Sequence, residues 1–121
     1  MAIPPTAMRF ARVLDPTEVL DYGISLTNIL EPGEQIASYL LELFPEATAL
    51  GLTIMSGTGR DHALFNGNTG IRFWLTIDES ERENPIFEGG GITLPMRITA
   101  DTNSDPGRVR QRTFLVPVAQ Q

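Results

Sequence analysis

The only histidine in the chain is His62, so any imidazole chemistry must pass through it. Ser56 and Asp61 stand close to it in sequence, and these are the residue types of a nucleophile, a base and an orienting carboxylate. The Gly-x-Ser-x-Gly turn that presents a nucleophilic serine in α/β hydrolases does not surround Ser56. A solvated strand or turn residue is therefore the preferred reading of His62. With one histidine and no cysteine, the chain lacks the nitrogen and sulfur ligands that transition-metal sites ordinarily use.

Three loops carry weaker hints of chemistry. Gly57-Thr58-Gly59-Arg60 begins like a phosphate-cradling loop, but neither the Gly-Lys-Ser/Thr ending nor a following helix is there to align its amides. A two-glycine turn between strands is the simpler reading. Asp101, Asn103 and Asp105 repeat at every second position, as in a calcium loop. Such a loop then needs Gly at its sixth position and a bidentate Glu at its twelfth; here stand Pro106 and Arg112. A polar turn joining two strands suits Asp, Asn, Pro and Gly equally well. Asp78, Glu79, Glu81, Glu83 and Glu88 crowd one stretch, but a glycosidase needs two carboxylates held apart on rigid elements. A flexible, solvated acidic loop is expected there, with a basic partner surface as the alternative. No catalytic residue, cofactor or metal is expected.

Partner recognition has better candidates. Arg108, Arg110 and Arg112 alternate along one strand face, where they can meet carboxylates of a neighbouring strand or subunit or simply face water. Trp74 points away from the apolar face of its own strand. It is either covered by the arm or a long loop, or exposed as an interface anchor.

The elements that carry these residues read as strands. Hydrophobic residues make up 41% of the 121 positions and charged ones 20%, ordinary for one globular domain with a core of its own. From Glu18 onward, short apolar stretches alternate with turn residues every 8 to 14 positions, the rhythm of a sandwich or barrel. Ile71, Phe73, Leu75 and Ile77 share one face of the clearest strand, and Ile92, Leu94, Met96 and Ile98 share one face of the next, because successive side chains leave opposite faces of a sheet. Pro95 interrupts the second strand's amides and argues for an edge or a bulge. Asn66-Gly67 is a strong hairpin signal. Thr113 to Val118 forms the last strand. Gln35 to Phe44 has both helical and strand spacing; the preceding Glu31-Pro32-Gly33-Glu34 turn and the all-β context favour a strand.

Residues 1–17 read as an extended arm broken by Pro4, Pro5 and Pro16, either frayed or docked on a neighbouring subunit. Asp15-Pro16-Thr17-Glu18 is also a pattern that caps a short helical turn. The net charge of -6 disfavours direct nucleic-acid binding and anionic membranes. No apolar run approaches the roughly 20 residues of a spanning helix, and the N-terminus lacks the charged and apolar regions of a signal peptide. A product made in the cytoplasm, leaving it only as cargo or within an assembly, is expected.

Several stretches together resemble a known family. Leu14 to Tyr22, reading Leu-Asp-Pro-Thr-Glu-Val-Leu-Asp-Tyr, is similar to the Asp-Pro-Asp-Glu-Val-Leu-Asp-Tyr opening of small phage virion proteins labelled fibre-tail adaptors. Gly33 to Ser38 resembles their Gly-Asp-Thr-Ile-Ala-Ser segment, Phe73-Trp74-Leu75 their Val-Trp-Leu strand, and Met96 to Ala100 their Asn-Arg-Ile-Thr-Thr. Gly107-Arg108 with Arg112-Thr113-Phe114 resembles their closing strand. The order holds over about residues 14 to 118. This chain differs in having Leu41 where the family has Trp, and a longer, acidic stretch over residues 78–91.

The resemblance implies an immunoglobulin-like antiparallel β-sandwich of about seven strands over residues 18–121, and it settles Gln35 to Phe44 as a strand. It implies no enzyme activity. It implies a structural protein of a tailed-phage virion, an adaptor at the neck or tail, partnered by other virion proteins and by copies of itself. Capsid decoration is the alternative, with a host-surface carbohydrate-binding module behind it.

Overall fold

The computed structural model describes residues 2–121. It is an all-β sandwich of two four-stranded sheets, consistent with the immunoglobulin-like architecture expected from the sequence. The strands are β1 (Met8–Arg9), β2 (Val19–Ser25), β3 (Ile36–Leu43), β4 (Leu52–Ile54), β5 (Ala63–Phe65), β6 (Gly70–Ile77), β7 (Ile92–Thr102) and β8 (Val109–Val118). One sheet runs β1-β8-β7-β3. The other runs β2-β6-β4, with β5 pairing β6 beside β4.

The alternation read in the sequence builds the core. Ile71, Phe73, Leu75 and Ile77 are fully buried along β6, and Leu94, Met96 and Ile98 face them from β7. Phe114, Val116 and Val118 of β8 complete the facing layer. At about 25 cal/mol per Å² of apolar area removed from water, this interleaved stack is the main source of stability. The β5–β6 hairpin closes through Asn66, Gly67 and Asn68, all at positive φ, as an Asn-Gly turn requires. Gln35 to Phe44 does become a strand, β3, followed by a five-residue helix α1 (Pro45–Ala49) that the alternation gave no sign of.

Pro95 corrects one expectation. Its strand β7 is interior, flanked by β8 and β3, and Pro95 itself is buried rather than on an outward edge. The ladder with β3 stops beside it: the Phe44 amide donates to the Pro95 carbonyl at 3.2 Å. Pro95 has no amide to return the bond. The Phe44 carbonyl instead accepts from Ala47 and Thr48 and so starts α1. The missing donor sits where the pairing ends, which is why an interior strand tolerates it.

The segment set apart as an arm joins the sandwich from Met8 onward. β1 pairs with β8 in parallel, the Phe10 amide donates to the Leu115 carbonyl at 3.0 Å, and the Leu14 amide to that of Pro117 at 2.9 Å. The Phe10 ring stands 5.0 Å from Tyr22 and 5.3 Å from Phe114, and Leu14 is fully buried. Asp15 to Glu18 makes a single reciprocal turn without a helix. The Asp15 carboxylate accepts from the Thr17 amide, and the Glu18 carboxylate accepts from the Asp15 amide.

The 78–91 stretch also departs from the flexible loop expected. Asp78 and Asn84 cap two single 3-10 turns, Glu79–Glu81 and Pro85–Phe87. Phe87 is fully buried, its carbonyl accepts from the Gln120 amide at 2.8 Å, and the Arg82 Nε donates to the Ile77 carbonyl at 3.1 Å. Gly91 ends the segment at φ +68 with its Cα against the backbone of Val118 and Ala119, where any Cβ would collide.

Candidate interaction surfaces

Of the side chains singled out for catalysis, Ser56 lines a shallow crevice with His62 and Tyr39, while His62 and Asp61 are hydrogen-bonded to other partners. His62 Nδ1 pairs with the Tyr39 hydroxyl at 2.7 Å, across the gap between β3 and the segment leading into β5. Burial raises the Tyr39 pKa. The Asp61 carboxylate accepts from the Gly57 amide at 2.6 Å, so it closes the Gly57–Asp61 turn rather than orienting His62. Gly57, Thr58 and Gly59 all take positive φ, and the Arg60 amide donates back to the Gly57 carbonyl. This is a tight turn carried on an excursion between β4 and β5.

Of the calcium-like residues, Asp101 lies at the end of β7, and Asn103 and Asp105 lie in the β7–β8 turn. Asn103 accepts from the Gln35 amide at 2.8 Å, and Asp101 accepts from the Ser38 hydroxyl at 3.2 Å. Their acceptors point to different neighbours, and among the described residues no three acidic or histidine side chains converge as a metal site. The carboxylates of the 78–91 segment stay at the surface, where Ser80 holds the Asp78 pKa down through its hydroxyl and then its amide.

Trp74 is half-buried on the outer face of the second sheet. The Arg60 guanidinium lies 5.9 Å from its ring centroid, and Arg72 lies 5.8 Å from that of Phe65. Both are cation–π distances. Phe65 lies flat over Gly70, whose missing side chain leaves room for the ring. Arg12 and Asp21 pair at 3.3 Å near the same face, both about half exposed, and such a pair contributes little. Alternation on β6 pointed to Trp74; Arg60 comes to it through the β4–β5 excursion, which spacing cannot reveal.

The three arginines at the start of the last strand part company. Arg108 precedes β8 and reaches the Glu34 carboxylate at 2.9 Å. Arg110 and Arg112 stand opposite Ala100 and Ile98, both core residues, and so point to the inner side of their sheet. Arg110 donates to the Ile29 carbonyl at 2.8 Å, and Arg112 to that of Gln111 at 2.7 Å. Among the described residues only Arg108 of the three meets a carboxylate.

Glu34 is the polar residue that sequence reading missed. Its side chain is 2% exposed. The Glu31 amide donates to it first of all, and the Ser104, Thr102 and Arg108 side chains add to this, holding its pKa down at about 2 against the cost of burial. A Glu closing a Glu-Pro-Gly-Glu turn was the available signal, but only the fold brings the β7–β8 turn onto it.

The chain matches no protein-family model and no curated protein sequence. The family reading rests on the ordered motifs between residues 14 and 118.

Proposed function

We propose that this chain is a non-enzymatic structural protein of a tailed-phage virion, an adaptor at the neck or tail that joins fibres or ring proteins to the particle. The observation that carries the reading is the ordered run of motifs from Leu14 to Phe114 that resembles fibre-tail adaptors. An all-β sandwich is the fold that this resemblance calls for. Two of the side chains that could have done chemistry are tied into turns and packing, His62 to Tyr39 and Asp61 to Gly57. Among the described residues, arginines without carboxylate partners remain at the surface, a suitable feature for joining proteins.

The test is the number of copies per particle, by quantitative mass spectrometry of purified virions. About a dozen copies, as a ring at a symmetric junction requires, support the adaptor. Hundreds of copies point to capsid decoration instead. Absence from the particle removes the virion assignment.

A further inference from the structure

Strand β1 covers only part of the outer edge of β8. It runs parallel to β8 with Met8 opposite Phe114 and Arg9 opposite Leu115. Continued backward in that register, the preceding residues would lie along Val109–Thr113, with Pro4 and Pro5 among them. Prolines have no amide to give a ladder. The chain turns away there, the Ala7 amide donating to the Pro4 carbonyl at 3.1 Å. The prolines thus leave the first half of the β8 edge without a ladder partner, although Pro4 and Thr6 still stand beside Gln111–Thr113.

That edge has backbone groups to offer. Leu115 accepts from Phe10 on this side, and residues two apart in an antiparallel strand aim their backbone groups the same way. Gln111 and Val109 therefore face the same edge; the Gln111 carbonyl there accepts from the Arg112 guanidinium at 2.7 Å, leaving the outward Gln111 amide and the Val109 groups, and Val109 is 68% exposed. Between the two sheets beside Phe10 lies a crevice of about 320 Å³, walled by Met8, Ile24, Ile29 and Phe114. Arg9 and Arg112 line it, and Arg110 is bonded to the Ile29 carbonyl close by. None of these three arginines has a carboxylate within ion-pair distance among the described residues, in a chain of net charge -6.

We propose that this edge docks an extended, acidic segment of a partner protein, which adds a strand to β8 and sets an apolar side chain in the crevice beside Phe10. Main-chain bonds to the β8 edge supply affinity, and the crevice and guanidiniums select the sequence. Carboxylates at alternate positions on the inward side of the added strand meet Arg110 and Arg112. The inference goes beyond the virion reading and does not depend on it.

The test titrates the isotope-labelled full chain with the peptide acetyl-Thr-Leu-Thr-Glu-Val-Glu-amide and with its charge-reversed counterpart carrying Lys for Glu. The acidic peptide should bind about tenfold more tightly, weaken with added salt, and shift the amide signals of Met8–Phe10 and Val109–Thr113. Arg110→Gln combined with Arg112→Gln should abolish the preference, while Arg72→Gln on the other sheet should leave it intact. Gln111→Pro, which removes an outward amide, should block binding in a chain that still folds; if it does not fold, the arginine variants carry the test. Equal affinity for the two peptides, shifts centred elsewhere, or an unchanged double variant would overturn the proposal. So would the same shifts appearing on concentration without peptide, since a second copy would then be the occupant.

Discussion

The two ends of the sandwich hold their loops by different chemistry. At the end where β8 finishes, order comes from apolar plugs. Phe87 and Leu14 are fully buried, and the backbone bonds of their segments to the C-terminal residues follow from that burial. At the opposite end, order comes from a polar knot. Glu34 is buried in the 31–34 turn and tied to the Glu31 amide and Arg108, while Asn103 and Gln35 stitch the β7–β8 turn to β3. The apolar end also carries the charge: residues 15–18, α1 and residues 78–91 hold eight of the fifteen carboxylates and one of the nine arginines. Apolar anchoring works regardless of protonation state, so it can hold a crowded acidic surface in place. A buried carboxylate works only while it stays charged.

The largest effect should come from the apolar end. Phe87→Ala leaves a cavity under the 78–91 segment and should cost about 3–5 kcal/mol, as buried Phe→Ala changes do. The loss should appear in urea unfolding at pH 7 and persist at pH 4. A change below about 1 kcal/mol would mean that the segment is held by its capping side chains instead. Leu14→Ala comes next, at about 2–5 kcal/mol. Fast exchange of the Leu14 and Ala119 amides should accompany it, since their bonds depend on that anchor.

Glu34→Gln gives a smaller effect with a distinctive pH dependence. The Glu34 pKa is lowered from 4.5 to about 2 in the folded chain. Its contribution is therefore complete above about pH 4.5 and is lost as pH falls toward 2. The variant should be less stable than the parent at pH 7, and the gap should close over that window. Asp15 and Asp78 are also lowered, chiefly by hydrogen bonds from Thr17 and Ser80 respectively. They weaken parent and variant alike, so the difference between the two curves isolates Glu34. A gap that stays constant from pH 7 to pH 2 would break the assignment.

The contrast also shows what could be read from the chain. Period-two alternation located β6 and β7 and their core residues because burial on one face imposes it directly, and the apolar run Thr113 to Val118 located the second part of β8. The Asn66-Gly67 turn was legible because positive φ restricts the residue types. The fate of Pro95 was not, since it depends on where the neighbouring strand stops. The order of the 78–91 segment was hidden because one buried Phe outweighs five carboxylates, four of them exposed, a fact of packing rather than composition. The candidate surfaces divide the same way. Trp74 was visible as an outward residue of a good strand, and Arg110 and Arg112 as sharing one strand face. The pairing of Arg108 with Glu34 joins residues 74 positions apart, a distance that no local pattern spans.

The smallest effect should come from Asn103→Ala at the polar end. Its carboxamide accepts one bond, from the Gln35 amide at 2.8 Å, at an exposed position. The variant also loses the 3.5 Å bond from the Asn103 carboxamide nitrogen to the Gln35 side-chain oxygen, but the Asn103 backbone amide still donates to the Gln35 carbonyl at 2.9 Å, so the turn keeps one of its three ties to Gln35. The loss should be about 0.5–1.5 kcal/mol and, unlike that of Glu34→Gln, the same at pH 3 and pH 7, because neither partner titrates. In the double variant, the Asn103 and Glu34 losses should exceed or fall short of their sum by more than about 0.5 kcal/mol if the turn responds as one unit. Simple additivity would mean that the polar end is two independent attachments, a looser arrangement than the single plug that Phe87 provides at the other end.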